Sequence, residues 1–335
     1  MTRALRLTLI LGVLAAVAFG AIAMWALQEE TSDFAFVPRA AQPTLGVVEL
    51  QGEENPPPGA GRLYFTTVGV RHATLWETWF GVADGGQLVP EHAVRAPGES
   101  DTERMQIDTM AMDSSQDAAE VVGLRALGER VVVTPAGVQI VGIDPEAPIA
   151  AAGAALGDVI LTAEDRKVTT IESLRTELKA VGAEHTVDLG LHRDGGFLSI
   201  AAKTIASSTG APILGIMPQQ AHRIAAARTV TFHVDGVGGP SAGLAFALQI
   251  YSAGKDYANL NGHRVAATGT LTMTGTVGPI GGIGEKAIGA RRAGADIFLV
   301  PRDNADEARA AHVAGLRIIA VENFTGALHA LAEAT

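Results

Sequence analysis

The sequence predicts a multidomain α/β (α+β) protein, with an N-terminal transmembrane helix followed by two folded units built of mixed sheets and helices. Three observations predict it. Residues 7–27 form an uncharged apolar run. Residues 137–196 alternate β-branched stretches with one helix-length stretch and end at an Asp194-Gly195 turn. Residues 229–334 alternate strand-like and helix-like stretches, the pattern of a sheet covered by helices. A chain of 335 residues is long enough for two or three domains, and the divisions are expected at 1–30, 31–128, 129–206 and 207–335.

The apolar run is about 21 residues long, enough to cross a hydrocarbon core of about 30 Å. Arg3 and Arg6 precede it and Gln28-Glu29-Glu30 follow. This predicts a single-pass cell-membrane anchor with a cytoplasmic N-terminus and the remainder outside the cytoplasm. A cleaved signal peptide is the rival, because Ala21-Ile22-Ala23 has the small-x-small form of a cleavage site. The anchor is preferred because the run continues through Met24, Trp25, Ala26 and Leu27.

Beyond the anchor, residues 32–60 are rich in Pro, Gly and Ala, with one strand expected at 46–50. A second strand is expected at 63–70, Leu-Tyr-Phe-Thr-Thr-Val-Gly-Val, and a long helix from about 102 to 127. In the next segment, 137–143 reads as a strand, 145–153 as a short helix entered by Pro148, and 157–163 (Gly-Asp-Val-Ile-Leu-Thr-Ala) as a strand. A helix at 171–181 has Thr170 as its N-cap, and Asp194-Gly195 supplies the positive-φ turn of a hairpin. With its Gly-Asp-Val-Ile strand, this segment resembles a PDZ domain. The resemblance implies peptide binding by strand addition, with the peptide C-terminus held on backbone amides. A ligand-free spacer is the bland alternative.

The last segment carries the chemistry. Gly239-Pro240-Ser241-Ala242-Gly243 follows an alternating run at 229–234 and precedes an unbroken apolar stretch at 244–251, so Ser241 sits where a strand turns into a helix. Backbone N–H groups and the positive helix end there would stabilise an oxyanion. A serine that merely caps a buried helix fits the same five residues. Downstream, Gly278-Pro279-Ile280-Gly281-Gly282-Ile283-Gly284-Glu285-Lys286 is a Gly-rich turn leading into a second helix, with Lys286 in its first turn. A lysine that deprotonates a serine must be neutral, so its pKa has to fall from about 10.4 to roughly 7–8. Ile280, Ile283 and Ile288 would desolvate the amine, and the helix N-terminus disfavours an ammonium. After this helix the pattern predicts a strand at 297–300, a helix at 304–314, a strand at 316–321 and a helix at 324–334 capped by Asn323 or Thr325.

Together with Val265-Ala266-Ala267-Thr268-Gly269-Thr270-Leu271-Thr272, these motifs resemble the proteolytic domain of the Lon family, which uses a Ser/Lys dyad. The resemblance implies Ser241 as nucleophile, Lys286 as general base and Thr268 as the lysine-orienting hydroxyl. The oxyanion would be held by backbone amides of Gly239, Ser241 and Ala242. The anchor and the Tyr-x-Thr-Thr-Val run at 64–68 extend the resemblance to membrane-anchored, PDZ-containing Lon-like peptidases of bacteria, the YlbL type. One departure stands out: ATP-dependent members carry Asp just before Gly-Pro-Ser, and here the residue is Gly238. No Gly-x-x-x-x-Gly-Lys-[Ser/Thr] loop occurs in the sequence, so an ATP-independent serine endopeptidase acting on exported or membrane-proximal peptides and proteins is expected. No cofactor, metal or nucleotide is expected, and the resemblance implies a hexamer-like ring.

Other chemistries fare worse. A net charge of −11 without a basic run disfavours nucleic acid. The nine His form no His-Glu-x-x-His, and there is no Cys to ligate metal or form a disulfide. Ser252-Ala253-Gly254-Lys255 has Ser-x-x-Lys spacing but lies at a helix end, where the dipole points the wrong way, and no Lys-Thr-Gly follows. A phosphate on the Gly281–Gly284 turn would face repulsion from Glu285. The alternative from another class is a PDZ adaptor whose peptidase domain is silent.

Overall fold

The computed structural model describes residues 3–53 and 55–334; residues 1, 2 and 335, the ends of the expected anchor and proteolytic segments, lie outside them. Helix α1 (Arg3–Gln28) contains the apolar stretch Leu9–Gln28, long enough to cross a membrane. Strand β1 (Glu30–Pro38) follows directly, in a region where the sequence pattern suggests only Pro/Gly-rich coil. Next come β2 (Val48–Leu50), β3 (Arg62–Phe65) and β4 (Val68–Thr74).

The single strand expected at 63–70 is therefore two. The chain changes sheets at Thr66-Thr67: β3 runs parallel in one sheet, whereas β4 pairs antiparallel with β1 in another. A short aromatic helix α2 (Leu75–Phe80), strand β5 (Gln87–Val89) and the long helix α3 (Asp101–Ala126) complete the segment. Helix α3 starts at a capping box in which Ser100 accepts from the Glu103 amide and Glu103 reaches back to Ser100.

The segment that resembles a PDZ domain consists of β6 (Val132–Ile143), β7 (Val159–Ala163), helix α4 (Ile171–Val181), β8 (Thr186–Arg193), β9 (Gly196–Lys203) and β10 (Ile216–Ala225). The main strand order is β9-β8-β7-β6-β10. Asp194 and Gly195 turn the β8–β9 hairpin at φ 48° and 80°, and Thr170 caps α4. The short helix expected at 145–153 is reduced to Pro148–Ala151. Asp158 of the Gly-Asp-Val-Ile run is fully buried, paired with Arg193 at 2.6 Å. Strand β10 completes the sheet beyond residue 206, where the sequence reading ends this unit. Pro218 and the polar pair Gln219-Gln220 hide it, and the register irregularity at Met217/Pro218 accommodates the proline.

The chain then passes through β11 (Val230–Phe232), a 3₁₀ turn (Pro240–Ala242) and helix α5 (Gly243–Ala253) to β12 (Arg264–Ala267), β13 (Thr270–Leu271) and β14 (Val277–Gly278). Helix α6 (Ile283–Arg292), β15 (Ile297–Pro301), α7 (Ala305–Ala310), β16 (Arg317–Val321) and α8 (Phe324–Ala332) end it. Helix α7 stops short of the expected 304–314 because His312 adopts φ 47° and Gly315 φ 74°.

The main sheet has five strands in the order Gln42–Pro43, β3, β12, β15, β16, parallel except for the first. It is a mixed sheet with helices on both faces. Leu63, Phe65, Val265 and Ala267 face the core built around α5, whereas Tyr64, Ala266 and Phe298 face α6. Helix α5 is buried nearly all round. Its one long polar side chain, Gln249, accepts from Thr44 and donates to Tyr257 Oη, both at 2.7 Å, so no polar group is stranded there.

Candidate active site

The 3₁₀ turn Pro240–Ala242 sets Ser241 one turn before α5. The turn is held from two sides. From the sheet side, the Ser241 carbonyl accepts from the Gly269 amide at 2.9 Å and the Thr268 hydroxyl at 3.1 Å. From the opposite side, helix α3 contributes the Asp108 carbonyl, which accepts from the Gly239 amide at 2.8 Å, and the Ser115 hydroxyl, which donates to the Pro240 carbonyl at 3.2 Å. The Asp108 carboxylate pairs with Arg104 one turn back along α3.

These contacts account for Gly238. A Cβ on Gly238 would come within 2.8 Å of Asp108 Cβ, so helix α3 fills the space that an aspartate would need. They also correct the oxyanion set. The Gly239 amide, expected to face an oxyanion, is donated to α3 instead, which leaves the Ser241 and Ala242 amides as the candidates.

Lys286 enters from the other face of the sheet. The β13–β14 hairpin leads into the Gly-rich turn, and Gly282 (φ 67°) starts α6. Asn304 fixes that turn by accepting from the Ile280 amide at 2.9 Å and donating to the Ile280 carbonyl at 3.0 Å. Lys286 is only 5% exposed. Burial pushes its amine down from 10.5 to about 7, with Glu285 pulling weakly the other way. Glu285 is itself buried, and desolvation raises its carboxyl.

Thr268 is fully buried. Its one proton goes to the Ser241 carbonyl, so towards a lysine it offers only lone pairs. The structure thus ties Thr268 directly to Ser241. Among the described residues no hydrogen bond joins Lys286 to Ser241.

Sequence reasoning missed Asp108, Ser115 and Asn304, which hold the Ser241 turn and the Gly-rich turn before Lys286. It also missed Thr66, whose buried hydroxyl has no hydrogen-bond partner and which lies one residue past the Phe65–Ala267 pairing, beside Thr268. The Thr66-Thr67 pair inside a strong strand pattern was the available signal for that one.

Comparison with known protein families matches two separate stretches of the chain. Residues 227–332 match the family described as the Lon protease (S16) C-terminal proteolytic domain, and residues 125–204 match the PDZ domain. The chain is similar to Lon protease of Campylobacter concisus (42% identity over 94 residues, 27% of this chain and 11% of that one). It is also similar to Lon protease 1 of Sorangium cellulosum (49% over 70 residues, 20% and 8%) and Lon protease 1 of Bacillus subtilis (46% over 70 residues, 20% and 8%). The chain thus spans about a tenth of the length of these curated relatives. Among solved structures it is similar to the PDZ domain of an SdrC-like protein from Listeria monocytogenes (17% identity, 24% of this chain and 86% of that one, TM-score 0.23). This chain therefore carries a Lon-type C-terminal proteolytic domain and a PDZ domain behind one apolar helix of membrane-spanning length.

Proposed function

We propose that the chain is an ATP-independent serine endopeptidase working through a Ser241/Lys286 dyad. The observation that carries this reading is the buried Lys286, its amine pushed down to about 7, in the first turn of α6 after the Gly-rich turn, together with Ser241 in the turn that opens α5. Neutral Lys286 takes the Ser241 proton as the hydroxyl attacks a peptide carbonyl. The amides of Ser241 and Ala242 hold the oxyanion, and charged Lys286 returns the proton to the leaving amine. Water then hydrolyses the acyl-enzyme by the same route. Thr268 holds the Ser241 backbone in place and offers its lone pairs to the lysine when it is charged.

The reading keeps four parts as expected from the sequence but moves the end of the PDZ unit from 206 to 225, with 31–128 joining the body of 226–335 through β3 and α3. It places the N-terminus in the cytoplasm and the catalytic part outside, with α1 as anchor. Substrates are exported or membrane-proximal peptides and proteins, and the ring of six implied by family resemblance belongs to the same reading. In the PDZ unit, β10 is an edge strand packed near α4, and an extended peptide would add along that free edge.

Purified Ser241→Ala and Lys286→Ala should each lose cleavage of an unfolded substrate and labelling by a fluorophosphonate probe, while keeping the wild-type circular dichroism spectrum. Turnover in either variant would sink the dyad. One observation favours the adaptor alternative, namely the Gly239 amide tied to Asp108 rather than open to an oxyanion. Wild-type chain that binds peptide tails but leaves Ser241 unlabelled would establish that alternative.

A further inference from the structure

All three tryptophans of the chain lie at one junction, Trp25 in the last turn of α1 and Trp76 and Trp79 on α2. The two helices touch there. The Leu75 amide at the start of α2 donates to the Glu29 carbonyl just past α1 at 2.9 Å, and Ala26 is fully buried between neighbours that are not. Helix α2 therefore begins at the level where the apolar span ends.

Its six residues, Leu75-Trp76-Glu77-Thr78-Trp79-Phe80, sort cleanly by side. Leu75, Trp76, Trp79 and Phe80 stand at i, i+1, i+4 and i+5, one face of a helix about 9 Å long. Trp76 and Phe80 pack with tilted rings, 4.3 Å between centroids, yet Trp79 remains 54% and Phe80 65% exposed. The other side is pinned to protein. Glu77 closes a capping box with Thr74 and pairs with Arg71 at 2.7 Å, and Arg71 holds its carboxyl down at about 2. This helix cannot roll its aromatic face inward without breaking that pair.

We propose that the aromatic face of α2 is a second membrane contact, seated in the headgroup–acyl boundary of the leaflet from which α1 emerges. The proposal rests on α1 being a retained anchor. Indole rings are amphipathic and prefer that depth, and Trp25 sits about one turn below the end of the span, completing a belt with Trp76 and Trp79. The charges nearest the junction are Glu29, Glu30 and the neutralised Arg71–Glu77 pair. With no basic cluster, the attraction is apolar and does not require anionic lipid. The consequence is orientation: a helix fixed to β4 and lying on the bilayer stops the catalytic body from swinging freely on α1.

The test uses the full chain in phosphatidylcholine nanodiscs, with acyl chains either plain or brominated at shallow positions. In Trp25→Phe/Trp76→Phe only Trp79 emits, and its emission should fall about twofold in brominated discs while resisting iodide in the buffer. Quenching by iodide but not bromine would overturn the proposal. So would quenching by neither in discs holding two copies, since a second chain would then cover the face. The complementary variant Trp76→Phe/Trp79→Phe reports α1 alone. Unquenched Trp25 means the anchor reading has failed and this proposal with it, whereas quenched Trp25 beside unquenched Trp79 overturns the present proposal only.

Discussion

Burying Lys286 to 5% exposure makes its amine a base near neutral pH and at the same time weakens the fold. On the catalytic side, the base must be uncharged, so kcat/KM should climb about tenfold per unit as pH rises towards about 7 and flatten above it. On the stability side, the unfolded lysine takes up its proton near 10.5, but the folded one waits until about 7. Stability therefore falls as pH drops across that interval and is level below it. Lys286→Met removes this slope and should raise the melting temperature at pH 7 by several degrees while abolishing activity. The full penalty is on the order of 5 kcal/mol. Gly238 is the converse case, fixed by a neighbour rather than by chemistry. Gly238→Asp drives a side chain into Asp108 and should cost about 1–3 kcal/mol in a urea melt, even though aspartate is the residue that larger relatives place there.

At the level of elements, the Ser241 turn is a bridge between α3 and the loop after β12, and neither support is local in sequence. Ser115→Ala removes one of the two α3 contacts. It should cost about 1 kcal/mol and slow probe labelling of Ser241 without shifting the pH at which labelling is half-maximal. Asn304→Ala frees both polar groups of Ile280 and should disturb the lysine instead, moving that midpoint. Elements with strong local signals were legible in the sequence: α4 with its Thr170 cap, the Asp194-Gly195 hairpin, the apolar α5, and the Gly-rich entry to α6. The pieces it concealed depend on partners far along the chain. Strand β10 carries Pro218 and two glutamines and is recognisable only through its ten-pair register with β6. The break between β3 and β4 leaves no mark beyond two threonines, because both halves are good strand formers and only the destination sheets differ. Among site residues, those with a motif were visible, whereas Asp108, Ser115 and Asn304 act through backbone groups of distant loops, for which residue type gives no cue.

Considered whole, the PDZ unit is an insertion rather than a bead on a string. It enters through β6 and leaves through β10, and Val132 and Ala225, at its two ends, are antiparallel partners. Paired residues in such a ladder lie about 5 Å apart, so replacing 133–224 with a short Gly-containing turn should leave a folded, probe-reactive proteolytic body. Comparing its turnover with that of the full chain tells delivery of substrate from obstruction of the site. The same topology bears on where the gene can be cut. Strand β3 lies next to β12 in the main sheet, yet it comes from residues 62–65, far outside the matched segment 227–332. A fragment confined to that segment would leave β12, whose Val265, Ala266 and Ala267 are fully buried in the complete chain, as a bare hydrogen-bonding edge. Such edges recruit other chains, so the minimal fragment should go to inclusion bodies, and soluble expression should require the ribbon of chain from β2 through α3.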